Sequence, residues 1–419
     1  MSKKNLKVWL ISSYVTNEVP KYITEFKRLE KFLDITIDLK IMTWNRAYDS
    51  LINAFKNENP PDVFALGSTW IYTFAHLGYL KHVPSTYKVL PSLANWINNC
   101  SMYNNIRYAI PWFIQPLVLS TQQIILDKYN ISQNNLTNWD DFYYYCKKIS
   151  EGENNYSNTE KHIPFAFPAK SDIGTLHLYM SWIYKANWDF PDLNKSSDNL
   201  FDAEFFIEVF EYISSLMNIC SLNIQEDHIY SRILYEKFYR KNEVTFYLDH
   251  AFLSVSKIMQ KRINNYDYDG PYTFTPVPSK SSKYNSFAGG ALLTVSSKTQ
   301  YPAEAWEIIR HLTSDNFLEE WSSQSGDLPA FHCSFWDKHK KCKEIGILYN
   351  EIINSKSYPS HPLWRNIEVI LSKGISEFFW ELRTSDTILR KNNIQAIQKK
   401  INESIKNLLN LTWEMKTYE

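Results

Sequence analysis

The sequence predicts an α/β protein that folds into two lobes around parallel β-sheets. The chain has 419 residues, which is more than one typical domain holds, so two lobes are expected. Within residues 1–80, three strand-like apolar segments alternate with three segments of helical periodicity. Successive strand–helix units of this kind form a parallel sheet with right-handed crossovers.

The first two units extend to about Lys56. Residues 6–11 read Leu-Lys-Val-Trp-Leu-Ile, a short β-rich apolar segment that predicts a strand. Pro20 then opens a helix whose apolar residues fall on one face. Residues 35–41 alternate Ile and Leu with polar residues, which is the periodicity of a strand, and a second amphipathic helix follows.

The third unit has the clearest boundaries. Pro60 and Pro61 end the preceding helix, because proline cannot continue one. Residues 63–66 are Val-Phe-Ala-Leu, as expected for a strand that is buried on both faces. Gly67-Ser68-Thr69 ends the strand and Trp70 begins the helical spacing behind it.

The loops that follow these three strands are the candidate ligand site. In an open parallel sheet, ligands bind at the carboxyl ends of the strands, where such loops converge. The side chains predicted to lie on this rim are Ser13, Tyr14, Thr43, Trp44, Thr69 and Trp70.

Several segments of the chain resemble one known family, in the same order. Residues 60–80, PPDVFALGSTWIYTFAHLGYL, resemble the third strand and following helix of the extracellular solute-binding proteins of ABC importers, in the maltose-binding-like group. Similar motifs of that family are found at residues 107–119, 287–295, 301–312 and 326–330. The resemblance therefore covers nearly the whole chain.

The resemblance implies a two-lobed fold of the periplasmic-binding-protein type (type II), with a doubly wound sheet in each lobe and several hinge crossovers. By analogy, the N-terminal lobe would comprise residues 1–116 plus 287–330. The C-terminal lobe would comprise residues 117–286 plus 331–419. Ligand binding in the interlobe cleft would close the hinge, since only the closed state lets both lobes contact the ligand.

The resemblance also implies ligand contacts beyond the rim of the first sheet. Gln115 follows the Tyr-Ala-Ile-Pro-Trp strand where relatives place a ligand contact, and Trp182 is the chosen aromatic of its helix. Asp249 and Phe252 replace the family's Gly-x-Trp turn, and Trp364 lies where relatives often place a stacking aromatic. Core filling is an equal alternative for Trp182. A helix N-cap for Asp249 and a core position for Phe252 also remain alternatives.

Composition gives no reason to expect nucleic acid and leaves the role of the many aromatic residues open. Lys+Arg and Asp+Glu number 45 each, so no bulk charge attracts nucleic acid or an anionic membrane. The chain contains 14 Trp, 28 Tyr and 24 Phe, which either fill a large core or line a cleft for flat amphipathic ligands such as sugars. The five cysteines are scattered and do not indicate a disulfide framework, which favours a reducing compartment.

The start of the chain leaves two localisations open. Residues 7–15 are too short and too polar for the apolar core of a signal peptide, and no apolar run approaches the roughly 20 residues that span a bilayer. Either a signal segment was removed and the protein is extracytoplasmic, in the periplasm or at the cell surface, or the protein stays in the cytoplasm.

The function that the sequence favours is saccharide binding for an ABC transporter, with permease subunits as partners and a monomeric state. The alternative is a cytoplasmic sensor of the same fold that signals to a partner protein. No catalytic residue, metal or cofactor is predicted, and the spacing of His332, Cys333, His339 and Cys342 does not form a clean zinc motif. A third class, an enzyme such as a glycosidase, stays open because its two acids can lie far apart in sequence.

Overall fold

The protein is described by a computed structural model. The described residues are 3–12, 15–153, 163–166, 168, 171–193, 200–220, 237–250, 255–256, 258–259, 272–280, 286–381 and 386–416. Over these ranges the chain forms two main β-sheets, each covered by helices.

Short strands and mostly longer helices alternate along the chain. The strands are β1 (Lys4–Ile11), β2 (Ile35–Met42), β3 (Val63–Gly67), β4 (Leu80–Lys81), β5 (Met102–Tyr103), β6 (Ile106–Arg107), β7 (Ala109–Pro116), β8 (Val118–Gln122), β9 (Ile163–Phe165), β10 (Val244–Asp249), β11 (Tyr272–Thr275), β12 (Ala288–Ser296) and β13 (Leu328–Pro329). The helices are α1 (Val15–Leu33), α2 (Trp44–Lys56), α3 (Ile71–His76), α4 (Asn95–Cys100), α5 (Gln123–Tyr129), α6 (Trp139–Glu153), α7 (Ile173–Lys185), α8 (Ala203–Ile219), α9 (Pro302–Leu312), α10 (Asp315–Ser325), α11 (Ser334–His339), α12 (Lys343–Asn354), α13 (Trp364–Glu381) and α14 (Thr387–Lys416).

The first sheet contains the three predicted strands. Its order is β13-β7-β12-β3-β1-β2, with β4 paired to β12. β1 is parallel to both β2 and β3, which confirms the parallel arrangement predicted from the strand–helix units. β3 lies between β1 and β12, and all five of its residues are buried, as its unbroken apolar sequence predicts.

The second sheet is smaller and of mixed direction. Its order is β11-β8-β10-β9, with β10 parallel to β9 and β8 antiparallel to both of its neighbours. Only Leu117 separates β7 of the first sheet from β8 of the second, so the chain crosses between lobes at that residue. It returns between β11 and β12, and it crosses again after α12.

The crossing segments are joined by backbone hydrogen bonds. The Leu117 N–H donates to the Phe287 carbonyl at 3.0 Å, and the Ala288 N–H donates to the Lys356 carbonyl at 2.9 Å. All three passages of the chain between the lobes therefore lie side by side. An arrangement of this kind allows the lobes to rotate about one narrow region.

Each sheet has its own hydrophobic core. The first core surrounds β1, β3, β7 and β12 and includes Phe74 and Trp112, and the second surrounds β8 and β10 and includes Trp182 and Phe378. Side chains of α11 and α12 pack in the first core, although residues 331–419 were expected to lie wholly in the second lobe. We therefore propose a boundary near residue 355, with the remaining limits as expected from the sequence.

None of the helices in the described ranges is both long enough and apolar enough to span a bilayer.

Candidate functional site

Two of the predicted rim loops meet at the end of β3. The Trp70 ring packs edge-on against Trp44 at 5.8 Å between ring centroids, and against Tyr48 at 5.3 Å. Trp70 is only 4% exposed, and its indole Nε1 is buried without a hydrogen-bond partner among the described residues. The sequence thus placed these side chains together, while their contact with a ligand stays a prediction.

Thr43 lies on the same rim but at its exposed edge. It precedes α2 and makes no capping bond with its side chain, because its Oγ1 donates instead to Asn45 Oδ1 at 2.6 Å. Ser13 and Tyr14, the candidates from the first loop, lie outside the described residues. The rim is therefore described for two of its three predicted loops.

Gln115 stands at the end of β7, beside the crossing into the second lobe. Its Nε2 donates to Asp327 Oδ1 at 3.1 Å, and its Oε1 is buried without a partner among the described residues. Asp327 also accepts a bond from Trp321 Nε1 at 3.2 Å, and burial raises the pKa of its carboxyl. Asp327 fixes one end of the Gln115 amide and leaves the other end with an unused acceptor.

Asp249 lies across the crossing, at the end of β10 in the second lobe. Its carboxylate accepts from the Ser120 hydroxyl at 2.8 Å and from the Tyr239 hydroxyl at 2.7 Å. Both oxygens therefore already have protein donors. Phe252, its predicted neighbour in the site, lies outside the described residues.

His250 links the second lobe to Gln115. Its Nδ1 lies 3.2 Å from the Gln115 carbonyl oxygen, and because a carbonyl only accepts, Nδ1 must carry the proton. Burial lowers the pKa of His250 to about 4, so the ring is neutral at pH 7 and its Nε2 is an acceptor. His177 packs beside it and is also neutral, because burial and His250 lower its pKa.

Trp182 is a correction to the predicted site. It is 1% exposed in the second core, where Trp139, Phe142, Phe165 and Tyr212 surround it at centroid distances of 5.8 to 6.2 Å. The ring fills the core, which is the alternative that the sequence left open. Its helix, α7, is apolar on nearly every side. The periodicity of the sequence therefore could not show whether Trp182 faces the core or the cleft.

Trp364 is the second correction. It is fully buried, stacks on Tyr358 at 4.8 Å and contacts Phe190 edge-on at 5.1 Å. Its indole Nε1 donates to Glu368 Oε1 at 2.9 Å. Trp364 therefore holds a neighbouring carboxylate and packs in the second core, and it does not present an open face for stacking.

Glu368 is the site residue that sequence reasoning missed. It is fully buried, and it accepts hydrogen bonds from Thr69 Oγ1 at 3.0 Å, Trp364 Nε1 at 2.9 Å and Arg365 Nη1 at 3.3 Å. Burial raises the pKa of its carboxyl to about 7, and Arg365 opposes that rise. The spacing of Trp364 and Glu368, four residues apart on one helix face, was the available signal.

The walls of the predicted cleft touch one another in this structure. Thr69 of the first lobe bonds to Glu368 of the second, and Thr73 Oγ1 donates to the Pro362 carbonyl at 2.7 Å. Cavities lie elsewhere. One of about 480 Å³ lies between α4 and the segments 189–193 and 356–360, and one of about 330 Å³ lies between α1 and α10.

The cysteine–histidine segment shows no metal centre in the part of the chain that is described. Cys333 and Cys342 are both buried, and the Cys342 thiol donates to Glu344 Oε2 at 3.2 Å. Burial raises the pKa of Cys333 to about 11, which keeps it protonated and a poor metal ligand. Among the described residues, no group of three or more His, Cys, Asp or Glu side chains could hold a metal ion.

Comparison with known proteins finds a family match in the N-terminal part of the chain. Residues 13–212 match the family described as bacterial extracellular solute-binding protein. The diacetylchitobiose-binding protein DasA of Streptomyces coelicolor is 28% identical over 116 residues, which are 27% of this chain and 27% of that protein. The matched segment thus spans about a quarter of the curated relative.

Solved structures extend the likeness to the whole chain. An ABC transporter solute-binding protein of Thermotoga lettingae, bound with α-D-tagatose, has a TM-score of 0.78 at 18% identity, covering 96% of this chain and 100% of that one. The sugar-binding protein MalE of Xanthomonas citri has a TM-score of 0.70 at 16% identity, covering 98% and 99%. At these identities the likeness shows the fold, which is the predicted two-lobed fold of periplasmic binding proteins. Residues 13–212 therefore match the bacterial extracellular solute-binding protein family that the sequence motifs resemble, and the chain as a whole has the fold that those motifs predict.

Proposed function

We propose that the protein binds a saccharide in the cleft between its lobes and delivers it to the permease subunits of an ABC transporter. The observation that carries this proposal is a pair of buried polar atoms at the cleft, Trp70 Nε1 and Gln115 Oε1, without partners among the described residues. A buried donor or acceptor without a partner costs about 1–3 kcal/mol. A hydroxyl group can accept from the indole and donate to the amide oxygen, so a polyhydroxylated ligand suits both.

The remaining cleft residues fit the same class of ligand. The neutral His250 ring offers an acceptor, and it follows Asp249 at the end of β10 in the second lobe. Solved structures that share the fold include one bound with α-D-tagatose and one in complex with maltose, and the matched Streptomyces protein is a diacetylchitobiose-binding protein. We take these sugars as the first candidates for this chain.

The mechanism would be closure about the three adjacent crossings. The ligand would contact first-lobe side chains such as Trp70 and second-lobe side chains such as Asp249, and only the closed state allows both. We propose binding without turnover, in an extracytoplasmic setting and as a monomer. The family is described as extracellular, which supports the importer over the cytoplasmic sensor.

The test is calorimetric titration of tagatose, maltose and diacetylchitobiose into the protein, with Trp70→Phe as the informative variant. Phenylalanine keeps an apolar ring and removes the Nε1 donor, so affinity for the bound sugar should fall about 2- to 13-fold, the worth of one hydrogen bond. Trp306→Phe is the matched control. Trp306 is about equally buried, and its Nε1 also has no partner among the described residues. It lies on α9, away from the cleft, where it packs against Tyr87.

Four outcomes distinguish the hypotheses. A sugar that binds wild type and Trp306→Phe equally, and Trp70→Phe more weakly, supports the cleft proposal. A sugar that binds all three equally would keep saccharide binding and reject Trp70 as a contact. A folded protein that binds no sugar would reject the function, and a bound sugar that is hydrolysed on long incubation would indicate an enzyme.

A further inference from the structure

Glu368 is a buried carboxylate that both lobes contact. Glu368 lies on α13 of the second lobe, where it accepts hydrogen bonds from Trp364 and Arg365. It also accepts a hydrogen bond from Thr69, which lies in the loop after β3 of the first lobe. Its side chain is 0% exposed in this structure. One oxygen, Oε1, receives both the Thr69 and the Trp364 bonds, so the same atom joins the two lobes.

The surroundings of Glu368 compensate its charge only in part. Arg365 reaches Oε2 at 3.3 Å, but its own side chain is 30% exposed and therefore partly screened by water. The Arg365 guanidinium also lies over the Tyr48 ring of the first lobe, at 5.2 Å from the centroid. Burial away from solvent, with only one screened cation nearby, favours the protonated form of a carboxyl group. Burial accordingly raises the pKa of Glu368 to about 7.

Separation of the lobes would change this environment. It would remove the Thr69 hydroxyl and the Tyr48 ring, which both belong to the first lobe, and would admit water to the carboxyl group. A solvated carboxyl titrates near its ordinary pKa of about 4.3. The closed state therefore holds a proton on Glu368 more firmly than the open state does.

We propose that Glu368 is a positioning residue for closure of the two lobes. It joins the Thr69 loop to α13, and it makes closure depend on proton uptake. Saccharide affinity then depends on proton uptake as well, because the ligand is bound in the closed state. This dependence of saccharide affinity on proton uptake rests on the proposed function. As pH falls from 8 to 6, the closed state gains relative to the open state. Affinity should rise, by at most about tenfold for each pH unit over which one proton is taken up.

Other titratable groups face Glu368 and limit what else could produce such a dependence. On α2 and on the segment before α13, burial raises the pKa of Tyr48 and Tyr358, so both phenols stay neutral between pH 6 and 8. His361, just ahead of α13, accepts from the Leu363 N–H at 3.2 Å and is the competing source. On α7, across from α13, His177 is neutral in this range, and the Asp172 carboxylate caps its own helix by accepting from the Thr175 N–H at 2.7 Å.

The experiment measures the affinity of the bound sugar at pH 6, 7 and 8 in wild type, Glu368→Gln and Glu377→Gln. Glutamine keeps the shape of Glu368 and the oxygen that accepts from Thr69, but it does not titrate. Wild type should bind several-fold more tightly at pH 6 than at pH 8, and Glu368→Gln should bind equally at both. Glu377, on the same helix and paired with Lys400 at the surface, is the matched control and should keep the wild-type profile.

A pH profile in Glu368→Gln that equals that of wild type would overturn the proposal and assign the effect to another group such as His361. A wild-type affinity that does not change with pH would overturn it as well. If Glu368→Gln does not fold, Thr69→Val decides. It removes only the donor from the first lobe, so binding should weaken at every pH, while the pH profile should persist because Glu368 stays buried. Unchanged affinity in Thr69→Val would overturn the role of Glu368 in joining the lobes.

Failure of the proposed function is distinguished by a measurement without ligand. If no sugar binds, the radius of gyration from small-angle scattering is compared at pH 6 and pH 8. A smaller radius at pH 6 in wild type, but not in Glu368→Gln, would support the role of Glu368 in closure. Equal radii at the two pH values would reject it.

Discussion

Lys185 and Glu351 form a buried ion pair where the lobes join. Lys185 ends α7 of the second lobe and Glu351 lies on α12, which packs in the first core. Their side chains are 5% and 4% exposed, and Nζ lies 3.9 Å from Oε2. Burial lowers the pKa of Lys185 and raises that of Glu351, while each charge favours the other's ionised form. The pair therefore persists because each ion compensates its partner.

We predict that Lys185→Met destabilises the protein by about 3–5 kcal/mol, because it leaves Glu351 buried without its cation. The double variant Lys185→Met with Glu351→Leu should recover most of that loss, since an apolar pair of similar volume avoids the desolvation of two ions. Urea unfolding measures both. Lys400→Met, which breaks the exposed pair with Glu377, should cost less than about 1 kcal/mol. Equal losses in the single and double variants would contradict this account.

At the residue scale, the sequence predicted which side chains of the candidate rim lie together. Thr69, Trp70 and Trp44 could be placed because each follows a strand whose carboxyl end must face the same edge. Trp182 and Trp364 could not be assigned correctly, because an aromatic ring suits a core and a cleft equally well. Glu368 was missed because its role depends on Thr69, which is 299 residues away in sequence, and no local pattern encodes such a contact.

At the element scale, the position of β12 between β3 and β7 determines the strand order of the first sheet. β12 runs antiparallel to both β3 and β7 and lies between them, with an irregular register between Ala291 and Leu292. The sequence predicted β1, β2 and β3 because each has a clear local pattern, an apolar run in β1 and β3 and an alternating period in β2. The place of β12 between β3 and β7 could not be read in the same way, since strand pairing between distant segments is set by packing across the whole sheet.

Gly290 makes this close pairing with β7 feasible. A Cβ atom at position 290 would lie 2.0 Å from the Phe113 carbonyl oxygen, which is backbone and cannot move aside alone. We predict that Gly290→Ala destabilises the protein by about 2–3 kcal/mol, because the strands must separate to admit the methyl group. Thermal unfolding measures the loss.

Gly289→Ala is the matched control on the same strand. Its Cβ would lie 3.0 Å from the edge of the Phe287 ring and 3.6 Å from Ser68 Oγ, and both are side-chain atoms rather than backbone. Its loss should therefore be the smaller of the two. A Gly290→Ala protein as stable as wild type would show that β7 and β12 adapt more freely than their register indicates.

At the scale of the whole molecule, two cores share one chain that crosses between them three times. Length alone predicted two lobes, and the family resemblance suggested where they divide. The division at residue 331 placed α11 and α12 in the second lobe, but their apolar residues Trp336, Leu348 and Ile352 pack in the first core. An amphipathic helix shows in sequence that one face is buried, but the sequence does not show against which core it packs.

The proposed boundary near residue 355 predicts how local destabilisation spreads. Phe74 and Phe378 are both fully buried, the first in the core of the first lobe and the second in that of the second. Phe→Leu at either site should cost about 1–3 kcal/mol. The backbone amides of Lys343–Asn354 should exchange faster than in wild type in Phe74→Leu, and at the wild-type rate in Phe378→Leu. Local opening of a helix follows the core in which that helix packs.

Hydrogen exchange with mass spectrometry resolves these segments, and Trp364–Glu381 provides the internal control. That helix packs in the second core and should respond to Phe378→Leu and not to Phe74→Leu. If Lys343–Asn354 instead follows Phe378→Leu, the lobe division belongs near residue 331, as the sequence motifs suggested. If both helices respond equally to both variants, the two cores open together, and the hinge couples them too strongly for the lobes to be separate units of stability.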